Sequence, residues 1–548
     1  GAITINAGRL IGNATGTFAN PISIVTSGVI AAANATIFTV GGTSTVSNIT
    51  GVAPSVGASG YAGTVTFGDG LASNAFTSSS SSPLTVSYGT LKFVGTNNKY
   101  QQGGSGSPYI LINNGGTVDM GGISNNFVAA TVEIDNGTLT NSGAASTGAA
   151  SEMAVKISAG GAVISTASGF SLKITGVVSS NGGALTIGSL GKTGTVIFTA
   201  ANTYSDTITI ASGATLQVGG GSSGTTGSIA SATIVNNGNL TYSFSSATSI
   251  LLPNNTTYSG SGNLSATAGG IGFSGDLSLG SGSSYGSFTY NATTSSYSTI
   301  GVTNLTSASA TVLAGSASIK GLIGANSTAT QNAYTLTIDT SAVNGNITLS
   351  GLVNGYSGGT SPFNIENLVF SAGAGAISIA GTNYLTEWTP IGSARFNAGQ
   401  ITGSGSFGNL STYSNSNLIF NVSGTSTFSG TITGTTTVSS IGSGTFTLSG
   451  AISSTGGFVQ NGTGITILSS TSNTFTGGTT ISAGTLSVST GGSTNSNLSS
   501  GVVTIGGGTL LVTGSNTISN AITLSTGANK VAAATAASVT FSGIISGA

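Results

Sequence analysis

A chain of 548 residues with 90 glycines, no cysteine, no histidine and only 9 basic and 10 acidic side chains excludes several classes of protein at once. Disulfide scaffolds, Cys/His zinc sites and histidine base chemistry have no residues to build them, and a net charge of −1 without a basic patch excludes nucleic-acid binding. Charged residues make up 3% of the chain, against about 25% in an ordinary soluble domain, yet a mean hydropathy of +0.35 and a regular Val, Ile, Leu and Phe alternation argue against disorder.

In chain order, one local pattern returns: apolar, any, apolar, two small polar residues, Gly, one residue, apolar. It reads Ile3-Thr4-Ile5-Asn6-Ala7-Gly8-Arg9-Leu10, then Leu84-Thr85-Val86-Ser87-Tyr88-Gly89-Thr90-Leu91, then Val132-Glu133-Ile134-Asp135-Asn136-Gly137-Thr138-Leu139. It recurs at Ile208–Gly213, at Thr479–Gly484 and at Ile522–Gly527. The corner glycines are Gly8, Gly28, Gly89, Gly115, Gly137, Gly160, Gly182, Gly213, Gly238, Gly484, Gly507 and Gly527. Apolar alternation puts one face of a short strand inward, and a small-Gly pair turns the chain because Gly tolerates positive φ. A hairpin would fold the second strand back on the first. A period of about 22 residues instead predicts an all-β, right-handed parallel β-helix, a β-solenoid whose strands pair with the coils above and below.

The same reading predicts one continuous β-helix over 1–548. Coils are regular over 1–250, less regular and decorated over 251–420, and regular again over 421–548. A Ser-rich loop is expected at Thr77–Ser82. The scarcity of charge suits the stacking: a charge repeated on every coil would repel its copies, whereas Ser, Thr and Asn ladders hydrogen-bond along the stack. No apolar run approaches the ~18 residues of a membrane-spanning helix.

Two stretches, 191–219 and 462–488, carry more than composition. Their Asn202-Thr203-Tyr204 and Asn473-Thr474-Phe475 triplets precede T-x-I-x-x-G corners, and they resemble the passenger repeat of autotransporters. Thr540–Gly547 resembles the segment that precedes such a repeat. The resemblance implies a secreted β-helix at a bacterial cell surface, adhesive or structural, and the lack of Cys fits export of an unfolded chain. Against the full-length pattern of that family, the sequence reads as a passenger segment and is expected to carry no C-terminal membrane barrel.

Candidate sites are few. Glu133 and Asp135 lie two apart on one strand face, about 7 Å, roughly a glycosidase spacing, but Asp135 opens an Asp-Asn-Gly turn where it is expected to cap its own backbone. Asp69 reads as a turn residue without the repeat of calcium-binding solenoids. Lys156, Lys173 and Lys192 in successive coils suggest a weak basic strip or a solvated face. Tyr384, Trp388 and Arg395 form the one aromatic and charged concentration, a possible platform for a glycan or protein partner or a loop packed over the core. No catalytic residue, metal or cofactor is expected. Glu133 with Lys156, and Lys92 with Asp119, occupy matching coil positions and should pair between coils. Ile3, Ile5, Val86, Leu91, Ile112, Ile134, Leu139, Ile157, Ile210, Leu216, Ile481 and Leu486 should line the core.

The chain starts at Gly1-Ala2-Ile3 without a signal peptide and stops in mid-repeat, which fits either a slice of a longer protein or tips that dock. Docking would bring Ile3 and Ile5 of one copy against Phe541 and Ile544 of the next. The expected function is an extracellular structural β-solenoid that builds or decorates a surface fibre, sheath or layer by head-to-tail or lateral self-association. The alternative is an adhesin that binds a surface glycan or host matrix; a polysaccharide-degrading enzyme is the weakest reading.

Overall fold

The computed structural model describes all residues except 2, 42–44, 47–53, 68–74, 77–82, 95–98, 101–108, 123–129, 144–152, 222–225, 232, 245–248, 253–256, 261, 268–269, 274–276, 279–286, 292–298, 304–308, 314–315, 327–334, 355–366, 386–391, 409–415, 492–495 and 548. The expected loop at Thr77–Ser82 and the turn at Asp69 lie outside the described residues. The chain forms a β-solenoid of parallel stacked sheets with about 23 residues per turn. The only helical element among the described residues is a 3-10 turn at Ser341–Val343. Two compact units are distinguished, 1–245 with 255–265, and 246–254 with 266–548.

In the first unit each turn contributes strands to up to three stacks. One stack runs through Leu84–Ser87, Tyr109–Asn113, Thr131–Asp135, Ala154–Ile157 and Val178–Ser180. A second runs through Thr64–Phe67, Thr90–Phe93, Thr117–Asp119, Gly137–Asn141, Ala162–Thr166, Leu185–Ile187 and Ile208–Ile210. The third holds Ser171–Ile174, Thr195–Phe198, Thr215–Val218 and Asn239–Ser243. Alternation explains why these segments are strands: in Thr131–Asp135, Val132 and Ile134 are buried and the residues between them face outward. Val86, Ile112, Ile134 and Ile157 stack as one fully buried column of β-branched side chains, which suit a pleated surface.

The second unit repeats the design. One stack passes through Asn367–Ser371, Gly392–Ala398, Ser416–Val422, Thr437–Ser440, Phe458–Gln460, Thr479–Ile481 and Val503–Ile505. Another passes through Thr425–Phe428, Thr445–Leu448, Ile465–Leu468, Thr485–Val488 and Thr509–Val512. Inside, Phe370, Phe396, Phe420 and Phe446 follow one another with centroids 5.2, 5.8 and 5.1 Å apart, distances at which aromatic pairs add stability beyond area burial.

Eleven of the twelve residues expected in the core are buried, from Ile5 at 8% exposure to Ile210 and Leu486 at 0%; Ile3, at 36%, is not. Its strand Ile3–Gly12 pairs with Ile22–Ala32 along one edge, and no described strand covers the other.

The corner glycines need a correction. The motif predicts that Gly89, Gly115 or Gly116, Gly137 and Gly160 or Gly161 stack; Thr90, Thr117 and Thr138, each next to its glycine, pair in succession, so Gly89, Gly116 and Gly137 do, but on the next turn Gly137 faces Ala162 and the column of glycines ends. Gly8 pairs with Gly28 at a different bend, and Gly213 lies between the second and third stacks rather than the first and second. The motif is local and serves whichever bend it meets. Positive φ is also not always on the glycine: at two corners it falls on Tyr88 (65°) and Asn136 (60°). A Cβ on Gly137 would stand 2.6 Å from Ile112 Cγ2 and 2.9 Å from its carbonyl, so close approach of the adjacent coil, not left-handed backbone, requires glycine there.

Candidate interaction surface and coil clasps

The densest chemistry lies on the outward face of the first stack. Glu133 and Lys156 are register partners one turn apart and form an ion pair at 3.1 Å. The Glu133 carboxylate also accepts hydrogen bonds from the Ser158 hydroxyl, on the turn after it, and from the Tyr109 hydroxyl, on the turn before. One carboxylate thus ties three turns. Burial alone would raise its pKa, but the hydrogen bonds from Ser158, Tyr109 and Lys156, with the lysine charge, outweigh burial and hold it below the usual 4.5. Burial first, then the adjacent carboxylate, push the Tyr109 phenol above its usual 10.0.

A depressed folded pKa means that folding favours the ionised acid. The contribution is present above the unfolded pKa of about 4.3 and is lost as pH falls through the folded value. Glu133→Gln is therefore expected to melt below the parent at pH 7. With side chains 19% and 39% exposed, the ion pair contributes about 1 kcal/mol or less. The gap should narrow progressively as the melts are taken to pH values below the usual carboxylate range; a gap that does not change with acidification would show that the glutamate's charge is not what stabilises the site.

The second expected pair also forms. Lys92 and Asp119 are register partners with Nζ 3.5 Å from Oδ2. Asp119 accepts from the backbone N–H of Gly121 and Ser142 at 3.0 and 2.9 Å and from the Ser142 hydroxyl at 2.6 Å. Lys92 reaches the same hydroxyl at 2.9 Å. Asp135 does not cap its own turn: its Oδ1 accepts from Gly160 N–H, one turn later, at 2.7 Å. Both members of the would-be carboxylate pair are thus bound into coil-to-coil contacts.

The lysine strip does not form. Lys156 faces outward from the first stack and Lys173 from the third, while Lys192 closes a tight turn with Ser189 and reaches Thr140 Oγ1 at 3.3 Å. Trp388 lies outside the described residues. Tyr384 is on Thr382–Leu385 and Arg395 on Gly392–Ala398, strands of two different sheets; Arg395 Nε donates to Asn397 Oδ1 at 2.9 Å. Of the residues expected at an end contact, Ile3 is exposed at 36%, Ile544 at 78%, Phe541 is half-buried and Ile5 is buried. No group of three or more possible metal-ligating side chains occurs among the described residues.

A feature that motif reading located but did not explain is the asparagine of the two triplets. Asn202 is 4% exposed. Its Oδ1 accepts from Val178 N–H one turn earlier at 2.7 Å, and its Nδ2 donates to the Ser228 carbonyl one turn later at 2.8 Å. Asn473, 1% exposed, repeats this with Ile452 N–H at 2.9 Å and the Asn497 carbonyl at 2.8 Å. The backbone agrees as well: Thr203 N–H donates to Val178 O, and Thr474 N–H to Ile452 O. Each asparagine clasps three successive turns at a bend without a regular strand ladder. The aromatic residue two places on is fully buried in both. Tyr204 keeps its hydroxyl satisfied by donating towards Gly183 O at 2.6 Å and lying 2.9 Å from Thr207 O; Phe475 needs no such partner.

These features define a parallel β-solenoid with two clasped coil repeats. The passenger-associated-transport-repeat family matches residues 193–218 and 458–488, the segments that hold Asn202 and Asn473. No curated protein and no solved structure matches the chain.

Proposed function

We propose that this chain is an extracellular structural β-solenoid of a bacterial surface, acting by self-association into a fibre, sheath or layer. The passenger-type repeats support secretion to the cell surface. The observation that carries the structural role is how the exterior is made. Columns of Thr, Ser and Asn repeat in register from coil to coil, as in Thr64, Thr90, Thr117 and Thr138, and Lys92, Asp119, Glu133 and Lys156 are engaged within their own unit. A surface of this kind resists its own copies weakly, because net charge and like-charge repulsion are what keep proteins apart. Purified chain at rising concentration is expected to form ordered filaments or sheets by electron microscopy. Dispersed particles at every concentration would overturn the proposal and favour the adhesin reading.

A further inference from the structure

The second unit contains a long stretch with no ionisable side chain of the usual kinds: between Arg395 and Lys530 there is no Asp, Glu, Lys, Arg or His. Within it, five consecutive strands of one stack present an outward column of Thr425, Thr445, Ile465, Thr485 and Thr509 in unbroken register. Ile465 is 42% exposed at the middle of the column. Ile467 and Leu511 stand half-exposed in the parallel column two residues along. The face is therefore apolar at its centre and hydroxyl-bearing around it, and its first charge comes at the edge, where Lys530 is the register partner of Thr509.

We infer that this face is a lateral docking surface whose occupant is a second copy of the chain; the inference rests on the self-association reading and names its contact. Three observations select that occupant. A glycan would want an exposed aromatic platform, and among the described residues of this stretch Phe407, Phe420, Phe428, Phe446, Phe458 and Phe475 are all buried at 1% exposure or less. A charged partner finds a single lysine, Lys530, at the edge beside Thr509 and nothing along the rest of the column. A second copy presents the same coil spacing of about 4.8 Å, so the ridges of one face fit the grooves of the other over every turn, as in the dry interfaces of stacked β-sheets. Hydroxyl and methyl groups of the threonines satisfy one another without burying an unpaired charge.

Size sets the strength. Five strands of four residues span roughly 24 by 13 Å, about 300 Å² per copy, well short of the ~800 Å² per partner of a stable pair. One contact is weak, and the assembly is concentration-dependent and gains from several copies meeting at once.

The test is sedimentation and light scattering of the full chain against two variants that add the same charge. Ile465→Lys is expected to raise the concentration needed for assembly about tenfold or more, since each lysine would confront its copy or lose its water. Thr504→Lys, half-exposed on a different stack, is expected to leave it unchanged. Unchanged melting of both variants establishes that the fold is intact. Assembly of Ile465→Lys like the parent would overturn this face while leaving self-association standing, and equal loss in both variants would overturn the face in favour of general neutrality. A parent that never assembles overturns the self-association reading and the inference together.

Discussion

Ile210→Asp is expected to unfold the coils around it. Ile210 is fully buried, pairs with Ile187 on the turn before and Asn236 on the turn after, and shares the inward face of its strand with Ile208, also fully buried. A Cβ on Gly238 would stand 3.0 Å from its Cγ2, so the next coil already presses on it. Removing the side chain from the core forfeits about 2–3 kcal/mol of apolar burial, and the carboxylate meets no partner, which costs several kcal/mol more. The sum, roughly 5 kcal/mol, is comparable to the whole stability of many domains. Thr209→Asp is the control, because the strand reads buried, half-buried, buried over Ile208–Ile210 and Thr209 faces out; it should change stability by about 0.5 kcal/mol. The deficit of Ile210→Asp should narrow towards acidic pH, where the neutral acid is less costly to bury. Denaturant titration of the three proteins at pH 7 and pH 4 checks both points, and equal stability of the two Asp variants would refute an inward-facing Ile210.

That contrast between neighbouring residues was legible from the sequence because period-two alternation is a local property. So were the pairings of Glu133 with Lys156 and of Lys92 with Asp119, since equal offsets from a corner place residues one coil apart. The stack that a corner serves was not legible. Gly137 and Gly213 sit in the same motif, yet the strand after Gly137 and the strand before Gly213 belong to one stack. Nothing within eight residues records how many bends precede it, and the coil length changes wherever a turn such as Ser189–Lys192 is inserted.

The partners of Glu133 show a second limit. Tyr109 and Ser158 are displaced by two residues along neighbouring strands, not directly opposite. Such diagonal neighbours lie about 7–8 Å apart at Cα and are reached only by long side chains. Once Leu111, Glu133 and Lys156 are aligned the outward residue two places along is a foreseeable partner, but that alignment needs the register, which the sequence supplies only after the corners are assigned to stacks. The asparagine triplets were visible as a motif, while their purpose was not: a side chain that bonds backbone both 21 residues before it and 24 residues after it leaves no local trace.

That purpose gives the other large expected effect. Gly- and Thr-rich coils carry little to fix their register, and weakly specified strands slip. Asn473 supplies a fixed point, because only its amide offers an acceptor to Ile452 N–H and a donor to Asn497 O at the same bend. Asn473→Ala leaves both backbone groups buried without that partner, at about 1–3 kcal/mol each, so the second unit should lose about 2–6 kcal/mol. Asn473→Asp keeps the acceptor but removes the donor and buries a charge, and should rescue nothing. Asn516→Ala, an exposed asparagine that donates to Ser489 O at 3.1 Å, should cost about 0.5 kcal/mol. In a solenoid each turn leans on its neighbours, so hydrogen exchange should show the damage centred on Ile452–Ser454, Thr479–Ile481 and Val503–Ile505, with protection around Glu133 unchanged. Asn202→Ala should mirror it, loosening Val178–Ser180 and leaving the turns around Asn473 intact. Loss spread evenly over the chain, or an alanine variant as stable as the parent, would show that the asparagine fills space at the bend without setting the register of the coils.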